Sequence, residues 1–361
     1  MKGQRDSYID VVKGIGIISI VMGHASWIVS VGKLNISIGP FVYLYHLAIF
    51  LFCSGFLYKD TDIDFGSYCA KKIKSLYIPF FVYNIIYLIL RYLFVYMGIV
   101  NGKNLGVGDL IIHFSNILTF NTIGELLGAF WFVPMMFYAV ILYAAIQYTF
   151  RFIPNKFWRE GFKIVCYIIF SIVGLVATDN HLGLLCNLQI SYLFVPIIAI
   201  GRYFKSLNLK KFVKPVGLII SFVILVYVLH RNIGIIELSQ FMIINKILFY
   251  PVTFCGIYFC LCLAHCLCKI NILERLFSYI GKYTFDIMAM HFLAFKLVDF
   301  IICTCTGQKE NMGVFPHTFT NIWPIYYVVG ISFPIIIKKL FVFLKDKIRS
   351  KIGLNEGLEL K

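Results

Sequence analysis

Apolar runs of about the twenty-residue length that crosses a bilayer recur from one end of the chain to the other, separated by short polar connections. A backbone in lipid must satisfy its own hydrogen bonds, so runs of this length fold as helices. Counting them places helices at about 11–29, 40–58, 76–100, 128–148, 163–179, 184–202, 212–230, 245–268, 285–303 and 321–344. The spacing therefore predicts an all-α fold, a polytopic transmembrane bundle of about ten helices. With 60% hydrophobic and 14% charged residues, the composition leaves no room for a sizeable soluble domain. Residues 1–345 read as one membrane domain and 346–361 as a basic cytoplasmic tail. The first run carries no small-residue cleavage site and is expected to stay in the chain as its first helix.

The net charge of +16 is distributed as topology rather than as a binding stripe. Lys59, Lys71, Lys72 and Lys74 fall in one connection. Arg151, Lys156, Arg159 and Lys163, then Arg202, Lys205, Lys210, Lys211 and Lys214, then Lys269, Arg275 and Lys282 fall in alternate later ones. The opposite connections offer only Lys33, Lys103, Arg231, Lys246 and Lys309. By the positive-inside rule both termini are cytoplasmic, and no nucleic-acid partner is expected. Fusing the fifth and sixth segments across their TDNHLG link would leave nine spans and put the basic tail on the wrong side, which favours ten. The 11 cysteines lie mostly inside helices and read as small buried hydrophobes. Cys260, Cys262, His265, Cys266 and Cys268 fall on one helix, where 262, 265 and 266 share a face while 260 and 268 diverge by a wide angle, so no closed metal site is expected from this helix alone.

The first helix contains DVVKGIGIISIVMGHASW, Asp10 to Trp27, where Lys13 and His24 interrupt a greasy run. Ionisable groups inside a membrane are costly unless something pairs or uses them. Eleven residues at about 100° each bring the two side chains to one face, and a rise of about 1.5 Å per residue sets them roughly 16 Å apart along the axis. Asp10 shares that face one turn earlier. A cation near the cytoplasm suits the phosphates of a nucleotide-like donor, and an imidazole deeper in can take a proton from an attacking hydroxyl. Gly14, Gly16 and Gly23 leave room for a thin ligand or a close neighbouring helix. On the next helix, running back inward, His46 is expected at about the depth of His24.

The order Asp10, Lys13, ten residues, His24 resembles the Arg/Lys-ten-His signature of the integral-membrane acyltransferase 3 family, which includes sugar and polysaccharide O-acetyltransferases. Further segments resemble that family in order: FVYLYHLAIFLFCSGFLY with His46 and Ser54; KKIKSLYIP with Lys71, Lys72, Lys74 and Pro79; Trp131-Phe132; and GKYTFDIMAMH, ending at His291. The resemblance implies a bundle of about ten helices in a bacterial cytoplasmic (inner) membrane. Acetyl-CoA would be taken as co-substrate from the cytoplasm, with no permanently bound cofactor, and the acetyl group passed to a sugar hydroxyl of a surface polysaccharide or its lipid-linked precursor. Carried over by residue, His24 would be the catalytic base, Lys13, Lys71, Lys72 and Lys74 would bind the donor, and Asp10, His46, Ser54, Trp131 and His291 would support them. The partners implied are acetyl-CoA, the glycan or lipid-linked sugar, and membrane lipid.

Two features depart from the family pattern or stand beside it. The signature cation is Lys, which lacks the bidentate phosphate grip of a guanidinium, and no extracytoplasmic hydrolase-like domain is expected after the last helix. Glu125, just before Trp131, reads as an interfacial carboxylate able to face an acceptor. The alternative to an enzyme is a glycan or lipid flippase or transporter, in which Lys13, Arg91, His24 and His46 would line a pathway. The inverted repeats and paired broken helices expected of one are not apparent.

Overall fold

The first helix, α1 (Ser7–Ala25), stands at the centre of the molecule. Asp6 opens it by accepting a hydrogen bond from the Tyr8 amide at 3.0 Å. Its apolar residues run nearly all the way round, and a helix of that kind is stable only when enclosed. The computed structural model describes residues 6–31, 34–59, 64–102, 105–121, 124–182, 187–234, 236–308 and 312–351. Lys33, Lys103, Lys309 and the end of the predicted tail, 352–361, lie outside the described residues.

After α1 and a short antiparallel ribbon, β1 (Val29–Val31) with β2 (Leu34–Ile36), come α2 (Ile38–Tyr43) and α3 (Ala48–Leu57). Next are α4 (Phe65–Lys72), a π turn (Ile73–Tyr77), α5 (Ile78–Tyr96) and α6 (Val107–Leu118). A 3-10 segment (Glu125–Trp131) leads into α7 (Phe132–Phe150), followed by α8 (Lys156–Asp179), α9 (Leu188–Ser206) and α10 (Pro215–His230). A second ribbon pairs β3 (Ile236–Glu237) with β4 (Met242–Ile243) before α11 (Lys246–Leu267), α12 (Asn271–Lys282), α13 (Thr284–Thr306) and α14 (Trp323–Lys351).

The fold is the expected all-α polytopic bundle. Eight helical stretches among the described residues are long and apolar enough to cross a membrane by length and composition. The two remaining predicted segments are also helices. One is α9, whose last turns carry Arg202 and Lys205, and the other is the 16-residue α10. The fifth and sixth predicted segments are thus separate helices, α8 and α9. Three segments differ in detail. The second is two helices joined by a tightened turn at 44–47, the third begins earlier through α4 and the π turn, and α14 runs on to Lys351, so residues 346–351 of the predicted tail are helical.

The outer helices turn apolar side chains away from the protein: Ile89 on α5, Ile172 on α8, Ile219 on α10 and Phe341 on α14 are all exposed. In water such a surface would drive association, whereas in lipid it is the required one. Inside the ring, α1 packs on α12, α2, α11, α13, α14 and α3. A Cβ on Gly14 would strike the Phe277 carbonyl, and one on Gly281 would strike the Asp10 carbonyl. The α1 glycines therefore admit neighbouring helices: α12 at Gly14, α3 at Gly16 and α2 at Gly23.

One end of the bundle gathers the start of α1, the 207–214 connection and the basic part of α14. The Tyr8 hydroxyl donates to the Leu261 carbonyl at 2.8 Å, Lys210 Nζ lies 4.1 Å from the Tyr8 ring centre, and Lys338 pairs with Asp286 at 2.9 Å. The first and last helices thus bring the start of α1 and the basic stretch of α14 to the same end, hereafter the inner end. At the opposite, outer end a connection folds back over the bundle. His317 Nε2 donates to the Ala25 carbonyl at 2.9 Å, and Asn101 donates to the Gly313 carbonyl at 2.9 Å.

Candidate active site

His24 occupies the last turn of α1, and its half-buried ring opens onto a cavity of about 50 Å³ shared with Tyr43, His46, Trp131, Glu237 and Ser239. His46 enters because the turn at 44–47 carries it inward from α2. The ring of Tyr43 lies between the two histidines, 4.5 Å from His46 and 6.2 Å from His24 by ring centres. His24 also stacks on His291 at 5.4 Å and 23°, and packs against Phe292 at 4.8 Å.

The three imidazoles differ in what holds them. His46 Nδ1 is 3.0 Å from the Val42 carbonyl, and His291 Nδ1 is 3.0 Å from the Ile287 carbonyl. A carbonyl oxygen only accepts, so in each case Nδ1 carries the hydrogen and Nε2 is left with its lone pair. His291 Nε2 is buried without a hydrogen-bond partner. His24 makes no hydrogen bond among the described residues and is positioned by ring packing alone. Among the described residues it is thus the one of the three with neither ring nitrogen committed to a hydrogen bond, while His46, which lines the same cavity, keeps its Nε2 uncommitted.

Toward the inner end a larger cavity, about 310 Å³, is lined by Lys13, Ser54, Tyr58, Lys72, Lys282 and Phe132. Lys13 sits on it with Nζ 3.8 Å from Asp10 Oδ1, an acidic partner that is itself buried. Ser54 donates back to the Phe50 carbonyl at 2.9 Å, which ties its hydroxyl to its own helix. Tyr68, Lys72 and Leu76, four residues apart along α4 and the π turn, present one face to the cavity. Of the predicted basic trio only Lys72 lines it. Lys71 and Lys74 are exposed on the surface beside it, and Lys282 at the end of α12 takes a place in the lining.

Met288 lines both cavities. It lies one helical turn before His291 on α13, so the same helix supplies the partition and the ring that stacks on His24. Neither Met288 nor Glu237 is singled out by the sequence. Met288 sits in an apolar run among other apolar residues. Glu237 lies far along the chain and reaches the cavity because the β3–β4 ribbon folds against α2.

Glu237 accepts hydrogen bonds from the Ser239 hydroxyl at 2.6 Å and the Ser239 amide at 3.2 Å. Burial nevertheless raises its carboxyl above the usual carboxylate range, with the Ser239 bonds opposing. The folded protein then keeps a proton that the unfolded chain has lost. The residue's cost to stability accordingly grows as pH rises from the usual carboxylate range through the raised value. Glu237→Gln is expected to flatten that fall, and thermal melts across pH 4 to 8 on wild type and variant measure it.

Behind the site, Lys296 and Asp299 form a buried pair at 3.3 Å on α13. Lys296 also donates to the Met312 carbonyl and, at 2.6 Å, to the Val314 carbonyl, while Tyr326 donates to Asp299. These saturated charges pin the 312–319 segment, and His317 from that segment holds the Ala25 carbonyl next to His24.

The geometry thus places a cation-lined cavity and a histidine-lined cavity on one helix, the first spanning most of the distance between the two ends of the bundle. The resemblance read from the sequence has a direct counterpart in the comparisons. No curated protein and no solved structure matches the chain. A family model described as an acyltransferase domain, that of the acyltransferase 3 family, matches residues 6–339, nearly the whole chain. The chain belongs to the acyltransferase 3 family, and is a multi-pass membrane acyltransferase.

Proposed function

We propose that the protein takes an acetyl group from cytoplasmic acetyl-CoA and moves it to a sugar hydroxyl of a surface polysaccharide or its lipid-linked precursor, in a bacterial cytoplasmic membrane. The observation that carries this reading is the pair of cavities meeting at Met288, with Lys13 on the inner one and His24 on the outer. CoA phosphates pair with Lys13, Lys72 and Lys282 at the inner end, as point charges suit. The roughly 16 Å between Lys13 and His24 along α1 is the span that the donor's arm must bridge.

In the outer cavity His24 accepts the proton of the acceptor hydroxyl as its oxygen attacks the thioester carbonyl. The new C–O bond forms, the C–S bond breaks, and the proton on His24 neutralises the departing thiolate, so CoA leaves as the thiol. His291 and Tyr43 orient the ring of His24, and Glu237 and Ser239 offer polar contacts to the acceptor.

Incubating the purified protein with acetyl-labelled CoA and a glycan acceptor tests the reaction, with transfer of label to the acceptor as the expected result. CoA alone is expected to raise the melting temperature, because a ligand that binds only the folded state stabilises it by about 2.7 kcal/mol at a hundred times its dissociation constant. Absence of both label transfer and a CoA-dependent shift would overturn the proposal.

A further inference from the structure

A third pocket lies at the outer end, beside the start of the Glu125–Trp131 segment whose later residues line the His24 cavity. It is lined by Tyr87, Arg91, Phe94, His113, Glu125 and Leu126, and so lies between α5, α6 and the start of that segment. Among the described residues Arg91 Nε and His113 Nδ1 are buried without a hydrogen-bond partner. An orphaned guanidinium nitrogen inside a membrane helix is costly, and an orphaned imidazole nitrogen beside it repeats the cost. A ligand that brings acceptor oxygens satisfies both, and the guanidinium fork matches the oxygens of phosphate.

The wall of the pocket indicates where that phosphate comes from. On α6 the large apolar side chains Val107, Ile111, Ile112, Phe114 and Leu118 are exposed, while Ile117 is fully buried. His113 is one turn from Ile117, on the inward side. A short helix with an outward apolar face lies in the membrane interface, at the depth of lipid headgroups. The pocket it closes is therefore open to a phosphate that carries a lipid tail.

We propose that this pocket binds the phosphate ester of a membrane-anchored lipid, with Arg91 gripping the phosphate oxygens and His113 donating a further hydrogen bond. The inference deepens the proposed function, on which its second half rests: the acceptor is the lipid-linked precursor, anchored here while its sugar reaches His24. The segment joining the two pockets fits that role. Glu125 and Leu126 line the lipid-phosphate pocket and Ala129 and Trp131 line the outer cavity, and a 3-10 rise of about 2 Å per residue, shortened by the kink at Leu127, keeps Glu125 and Trp131 within about 12 Å of each other along the segment. Glu125 is exposed at the mouth, where its carboxylate accepts from sugar hydroxyls and does not contact the phosphate.

The test is a titration of the full chain in dodecyl maltoside with dodecyl phosphate, alongside inorganic phosphate, read by native mass spectrometry and thermal shift. Saturable binding of dodecyl phosphate is expected, weakened about 10- to 100-fold by Arg91→Gln, with part of the loss restored in Arg91→Lys. His113→Gln is expected to weaken binding by less, and it keeps the test open should Arg91→Gln fold poorly. Binding unchanged in both variants would overturn the site. Inorganic phosphate binding as tightly as dodecyl phosphate would overturn the lipid source. CoA is absent from this titration, so loss of the acyl-transfer reading would show separately as a missing CoA-dependent shift.

Discussion

Replacing His24 with Ala is expected to lower acetyl transfer about 100- to 10,000-fold while leaving the CoA-dependent rise in melting temperature in place. The separation follows from the two cavities. His24 lines the outer one, the inner one is the proposed seat of the CoA phosphates, and the shared residue between them is Met288. Lys13→Ala is expected to give the opposite pattern, with the CoA-dependent shift lost and KM for the donor raised. His291→Ala should fall between, because it deletes the stacking partner and not the ring that faces the cavity. Among the described residues the His24 side chain makes no hydrogen bond, so its removal orphans none of their buried groups and the fold should survive it. Full activity in His24→Ala would sink the assignment of the base, and loss of the CoA shift in the same variant would remove the division of labour between the cavities.

The part of this site that was legible in the sequence is the part that helical periodicity governs. Lys13 and His24 lie on one uninterrupted helix, so their common face and spacing followed from rise and rotation alone. The ten segments followed from bilayer thickness, and the end at which the basic connections gather followed from their alternation. What was not legible depends on side chains brought together by packing. Glu237 reaches the outer cavity from a ribbon near the end of α10, and Lys282 rather than Lys71 or Lys74 lines the inner one. A π turn after Lys72 changes which residues of the basic stretch face inward, and a 3.6-residue repeat does not foretell it. The roles of Gly14 and Gly281 were equally open, since a missing side chain suits a ligand and a neighbouring helix alike. Only the backbone of the other helix decides between them.

Widening or blocking the partition at Met288 is expected to change which acyl groups pass without changing how the donor is held. Met288 is buried yet lines both cavities, so in the proposed reaction it stands where the acyl group passes from the inner cavity to His24. An unbranched, flexible side chain can leave that passage and refill it with little strain. Met288→Trp closes it with a rigid ring, and acetyl transfer should drop at least about tenfold while the CoA-dependent thermal shift remains. Met288→Ala enlarges it, and the rate with butyryl-CoA relative to acetyl-CoA should rise about tenfold, the range that one or two methylenes command in an apolar pocket. The truncation also removes packing atoms, and a cost of about 2 kcal/mol is expected, at the low end for buried Met→Ala because two sides of the residue already face open space. That stability loss is shared by all substrates and cancels from the ratio of the two rates. An unchanged butyryl-to-acetyl ratio in Met288→Ala, together with wild-type acetyl transfer in Met288→Trp, would place the acyl passage away from α13.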